Sequence, residues 1–119
     1  MTAASAMAVT REKAEAATAF LRALANENRL MILCHLAQGE RSVTELERLL
    51  GIRQPNLSQQ LARLRADGLV ATRRDAKSIY YSLASPEAIL TIQLLYRLFC
   101  VQDDAETVTL TRAFPAAAE

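Results

Sequence analysis

The side chains with the most reactive chemistry in this chain are two cysteines, Cys34 and Cys100, and the single histidine, His35, that follows the first of them. Thiols can ligate a soft metal or be oxidised. One His and two Cys are too few for an ordinary four-ligand zinc site within one chain, unless carboxylates or a second chain contribute. Neighbours on a helix point about 100° apart, which suits Cys34 and His35 poorly as ligands of one ion. Taken singly, Cys34 reads as a small hydrophobe on a core face, Cys100 as a thiol at a helix end, and His35 as a partly exposed residue able to tune its neighbour. The sequence offers no paired carboxylates, nucleophile–base pair or phosphate-binding loop. An enzyme is therefore not expected, nor is a cofactor or a bound metal.

A second kind of chemistry lies between residues 41 and 77. Formal net charge over the whole chain is +1, but this stretch holds eight basic residues against four acidic ones. A polyanion would bind there; a solvated face without a partner is the bland alternative. Within it, the segment Pro55–Ala66 places Leu57, Leu61 and Leu64 on one side of a helix. Asn56, Gln59 and Arg63 point outward and Ser58 flanks them. Amides pair with adenine, Arg with guanine, and Ser with bases or phosphates, so this face has the groups that major-groove readout needs. Gln54 precedes it in the turn. Arg73, Arg74 and Lys77 follow it and would reach phosphates or the minor groove, adding affinity more than sequence choice.

The elements that must position these groups are legible from punctuation. Gly39, Gly51 and Gly68 each follow an apolar-periodic run, where a helix end favours a residue tolerant of positive φ. Pro55 and Pro86 sit where helices begin. Helices are predicted from about Arg11 to Leu24, from an Asn26 cap to Gln38, from the capping-box spacing Ser42-Val43-Thr44-Glu45 to Gly51, and from Pro55 to Ala66. On the second, Leu30, Leu33, Cys34 and Ala37 form an apolar stripe. Leu69–Arg74 and Ile79–Leu83 read as a β-hairpin with a basic first strand. A last helix starts at Ser85-Pro86. From Ala88 to Val101 it is apolar nearly all round, so it needs cover on most sides, and a second copy of the chain is the cover expected. Phe20, Ile92, Leu95, Leu98 and Phe99 are the expected dimer contacts.

The chain's 119 residues suit one domain. Hydrophobic residues make up 51% and charged residues 23%, a foldable composition. There is no apolar run of transmembrane length and no secretion leader, so a cytoplasmic protein with reduced thiols is expected, without a membrane partner. The expected organisation is a flexible N-terminus over 1–9, a folded domain over 10–101, and a flexible acidic tail over 102–119. The fold class is mainly α with a small β-hairpin. Two helices joined by the short Gly51-Ile52-Arg53-Gln54 turn, then a basic hairpin, make a winged helix-turn-helix with five helices and two strands, working as a homodimer.

The segment ALANENRLMILCHL and the block RSVTELERLLGIRQPNLSQQLARLRADGLVATRRDAKSIYYSL resemble the ArsR/SmtB family of small dimeric winged-helix repressors, over roughly residues 18–100. The resemblance implies binding of an imperfect palindromic operator in double-stranded DNA, and dimerisation through the first and last helices. Two departures concern metal sensing. The Cys-x-Cys pair typical of the helix equivalent to Thr44–Leu50 is missing, and so are the Asp and His ligands of the last helix. Two lone cysteines at these places are instead similar to the persulfide- and redox-responsive SqrR/BigR-type branch. That implies that Cys34 and Cys100 become linked by a disulfide or polysulfide, with reactive sulfur species or an oxidant as inducer. A metal- or metalloid-sensing repressor with an atypical site is the alternative. A winged helix serving as a protein-interaction adaptor is a third reading, against which the basic region and exposed amides argue.

Overall fold

The computed structural model describes residues 8–101, so residues 1–7 and the expected tail over 102–119 lie outside the described residues. Helix α1 (Arg11–Leu24) is opened by Thr10, whose side chain accepts a hydrogen bond from the Lys13 N–H. Asn26 does the same for α2 (Glu27–Leu36), accepting from Arg29 N at 3.0 Å. A two-residue strand β1 (Arg41–Ser42) leads into α3 (Val43–Leu50). There Ser42 and Glu45 exchange hydrogen bonds of 3.1 and 2.8 Å, a complete capping box. The bond from the Ser42 N–H holds the Glu45 carboxyl below its ordinary pKa.

Gly51 ends α3 at φ +66°, a left-handed conformation that suits a residue without Cβ. Helix α4 (Gln54–Ala66) follows, then β2 (Val70–Asp75), β3 (Ser78–Leu83) and α5 (Pro86–Phe99). Ser85 caps α5 by accepting from Ala88 N at 3.1 Å.

The strands form an antiparallel sheet in the order β1-β3-β2, with Arg41 opposite Tyr81 and Arg73 opposite Tyr80. The sequence reading missed β1, and it ran α2 two residues too far; residues 37 and 38 are turn. Ala76 adopts φ +56° in the hairpin turn, where glycine would be less strained. All five helices contribute to one aliphatic core that includes Leu24, Ile32, Leu33, Leu46, Leu57, Leu61, Leu64, Val70 and Ile92. The buried side of α2 is Arg29, Ile32, Leu33 and Leu36. That is displaced from the predicted stripe: Ala37 is exposed, while Leu30 and Cys34 are half-buried at its edge.

Candidate nucleic-acid interface and the two cysteines

Leu57, Leu61 and Leu64 anchor α4 in the core, so the opposite face is held out to solvent. Gln54, Asn56, Ser58, Gln59 and Arg63 are all exposed. The first turn carries no acidic residue, so the positive end of the helix dipole is left for an outside anion. Asn56 Oδ1 accepts from Gln60 Nε2 at 3.0 Å, and Ser58 Oγ donates to Gln54 Oε1 at 2.9 Å. Arg63 donates to Asp67 at 2.9 Å on the surface. Both partners are well hydrated, and such a pair contributes little and is easily exchanged for a phosphate or base.

The hairpin sorts its three cations. Arg73 is engaged: it donates to the two Glu40 carboxylate oxygens at 2.8 and 2.9 Å, lies 3.7 Å from Asp75, and stacks 4.5 Å from the Tyr80 ring centroid. The hydrogen bonds to Glu40 raise its pKa further. Arg74 leaves β2 on the opposite face, and Lys77 sits in the turn; neither has an ion pair among the described residues. Between the hairpin and α4 runs an open groove lined by Thr44, Gln54, Ser58, Arg65, Lys77 and Ser78. Thr44, Arg65 and Ser78 were not singled out from sequence. Arg65 could have been, since steps of four, four and three residues carry one helix face from Gln54 through Ser58 and Ala62 to Arg65.

The cysteines lie at the other side of α2. Cys34 is half-buried on α2, and Cys100 is exposed at the C-cap of α5, its N–H donating to Tyr96 O at 2.8 Å. Helices α2 and α5 pack on each other. Cys34 opens into a cleft whose walls include Ile92, Gln93, Tyr96 and Arg97 of α5. Burial pushes the Cys34 thiol up, and negative charge on Cys100 pushes it the same way. His35 is half-buried on the neighbouring face. Among the described residues, no group of three or more His, Cys, Asp and Glu side chains is placed to hold a metal ion.

Helix α5 has two apolar faces. Ala88 and Ile92 are buried in the protomer's own core and Leu95 packs against it. Ile92 is 2% exposed, which removes it from the expected surface contacts. Phe20 is half-buried beside the same core. The outward face instead carries Leu90, Leu94 and Leu98, spaced four apart; Phe99, one turn beyond Leu95 at the helix end, and Leu21 on α1 are exposed as well. Leu90 and Leu94 were not among the expected contacts. Among the described residues, no helix is long and apolar enough to cross a membrane.

The family model described as "Bacterial regulatory protein, arsR family" matches residues 26–72, which run from the Asn26 cap through α4 into β2. The biofilm growth-associated repressor of Agrobacterium fabrum is 55% identical over 84 residues, covering 71% of this chain and 72% of that protein. The transcriptional activator HlyU of Vibrio cholerae is 51% identical over 84 residues, covering 71% and 78%. A solved structure of reduced HlyU from Vibrio cholerae superposes with a TM-score of 0.74 at 48% identity, covering 76% of this chain and 95% of that one. The transcriptional repressor BigR of Xylella fastidiosa superposes with a TM-score of 0.72 at 45% identity, covering 79% and 100%. With the hairpin as its wing and α3–α4 as its helix-turn-helix, the chain belongs to the arsR family of bacterial regulatory proteins, and is a winged-helix transcriptional regulator of the BigR/HlyU type rather than an enzyme.

Proposed function

We propose that this chain is a homodimeric, dithiol-switched repressor that binds operator DNA when its thiols are reduced and releases it when Cys34 and Cys100 are linked. The observation that carries the reading is the placement of the chain's only two thiols on two helices that pack on each other, Cys34 of α2 in a cleft with Tyr96 and Arg97, and Cys100 at the C-cap that ends the same turn of α5. A relative whose solved structure is described as its reduced form supports redox chemistry in this group. Relatives named as repressors, including BigR, support repression as the outcome of operator binding. The exposed leucines of α5 support a second copy as their cover.

The chemistry balances with a persulfide donor R–S–SH. Exposed Cys100 takes the outer sulfur and releases the thiol R–SH; Cys34 then attacks the Cys100 persulfide and releases hydrogen sulfide, leaving a disulfide. Two persulfidated thiols condense to a trisulfide and hydrogen sulfide. Peroxide gives the disulfide and two waters. The bridge ties α2 to α5. Since α2 also packs on α3 and α4, the tie alters the placement of the two α4 helices, which must match successive major grooves about one helical turn apart in an imperfect palindrome. A tenfold loss of affinity requires only about 1.4 kcal/mol of coupling.

Within each protomer, Gln54, Asn56, Ser58, Gln59 and Arg63 face the major groove, and Arg74 and Lys77 reach the backbone, with Arg73 held in reserve by Glu40. The test is a gel shift of reduced and persulfide-treated protein side by side, with intact mass confirming the bridge. Strong operator binding by the reduced form alone is expected, and Cys34→Ser and Cys100→Ser should each bind without responding. Equal affinity of the reduced and bridged forms refutes the switch. A metal response that survives both serine substitutions together would turn the assignment toward a metal sensor.

A further inference from the structure

Arg29 is the one charged side chain buried among the described residues, at 9% exposed. Its Nε donates to the Ala23 carbonyl at 2.7 Å and its Nη2 to the Arg22 carbonyl at 3.1 Å, taking up two acceptors in the last turn of α1. Its Nη1 crosses to α4 and donates to Gln60 Oε1 at 2.9 Å. Burial lowers its pKa and Arg63 lowers it further, yet a guanidinium stays protonated and has donors only.

That one-way chemistry fixes two amides in turn. Gln60 must give its oxygen to Arg29, so its amide nitrogen is the group that faces Asn56, 3.0 Å away. An amide nitrogen can only donate, so Asn56 must meet it with Oδ1. Amide orientations are ordinarily ambiguous; here the buried cation dictates both. Asn56 is left with its Nδ2 hydrogens free on the exposed face of α4.

We propose that Arg29 and Gln60 are positioning residues that polarise Asn56, so that α4 offers a hydrogen-bond donor to a base edge in the major groove and selects a keto base over an amino base. Guanine and thymine present acceptors there and no donor, whereas adenine and cytosine present an amino group. The bidentate pairing of Asn with adenine needs Oδ1 and Nδ2 presented together to one base edge; the bond from Gln60 takes one of the two lone pairs of Oδ1 and turns that oxygen along the helix toward Gln60, so Nδ2 is the group left for the base. This inference rests on the reading of α4 as the DNA-reading helix and adds to it which partner Asn56 takes and why.

The experiment uses the full-length reduced protein and a duplex selected from random sequence, with every single base-pair variant of its half-site and an unrelated duplex as control. Wild type should favour G or T over A or C by about tenfold at one position per half-site. Asn56→Ala and Gln60→Met should each abolish that preference at the same position, and should weaken binding to the selected duplex more than to the unrelated one. The double variant should lose no more than either single one, because the two residues act through one contact. Gln60→Glu keeps an acceptor for Arg29, so it should fold even if Gln60→Met does not. It cannot donate, so it should turn Asn56 over and move the preference to A or C. A preference that survives Gln60→Met but not Asn56→Ala would overturn the relay and leave base reading by α4 intact. Equal loss on all duplexes for Asn56→Ala would make Asn56 a phosphate contact and overturn it too. If Asn56→Ala and Gln59→Ala both leave every base preference unchanged, α4 is not the reading helix, and the relay falls with that assignment.

Discussion

Leu98→Glu tests the second copy most directly. Leu90, Leu94 and Leu98 form a stripe on α5 with 67%, 40% and 59% of their surfaces open. Covering what is open on both protomers contributes on the order of 5–8 kcal/mol. Association itself costs about 4–15 kcal/mol, so the stripe is necessary for a dimer and not sufficient; Leu21, Tyr96 and Phe99, also exposed, must supply the surplus. Leu98→Glu withdraws roughly 2–3 kcal/mol of burial from the pair. It also places two carboxylates against apolar surface, which adds a few kcal/mol more. A total of about 5 kcal/mol raises the dimer Kd by between three and four orders of magnitude. Sedimentation equilibrium should show monomer at micromolar protein, with the helical circular dichroism spectrum retained because Leu98 leaves no hole in the protomer. Ile92→Ala is the contrast. Its side chain lies in the protomer's own core, so it should cost about 2–5 kcal/mol of unfolding stability and leave the dimer Kd nearly unchanged. A Leu98→Glu protein that sediments as the wild type does, or an Ile92→Ala protein that dissociates while stably folded, would refute the assignment of faces.

Arg74→Ala should flatten the log Kd against log salt plot by about one unit on any duplex, whereas Arg73→Ala should change it by less than half as much, because Glu40 already neutralises Arg73; equal slopes would contradict the sorting of the wing cations. The Cys34 thiol is pushed above its ordinary pKa, so it is protonated at neutral pH and its thiolate fraction grows about tenfold per pH unit. At saturating persulfide donor, bridge closure followed by acid quench and intact mass should therefore accelerate through pH 7–9 without levelling off, and a plateau near pH 7 would show that a low-pKa thiol closes the bridge. Gly51→Ala should cost about 1 kcal/mol of unfolding stability and Gly51→Asn less, since the position needs φ +66° but no atom lies within 4 Å of the added Cβ; denaturant melts decide it.

How far the sequence could be read depended on whether a signal was local. Capping and turn chemistry act within four residues. Asn26, the Ser42–Glu45 box, Gly51 and Ser85 therefore marked helix ends that the structure reproduces to within about two residues. Strand β1 has no such signal: two residues cannot show a period, and Arg41–Ser42 becomes a strand only because Tyr80 and Tyr81 lie beside it. The faces of α5 were illegible for a related reason. In a helix apolar nearly all round, periodicity cannot tell a protomer's own core from surface left open, and Ile92 lies in the core while Leu90, not singled out, is exposed.

The Arg29 relay lay deeper still. An arginine within ENRLMILCHL reads as a surface charge until α1 and α4 are placed, because its acceptors are two carbonyls at the end of one helix and a glutamine thirty-one residues away. Arg29 and Cys34 are five residues apart, so their side chains leave α2 roughly 140° apart. One helix thus holds the reading face through its first turn and the half-buried thiol through its last. The part of the site that sequence exposed was the list of reactive residues. The part it hid was that a single short helix stands between them.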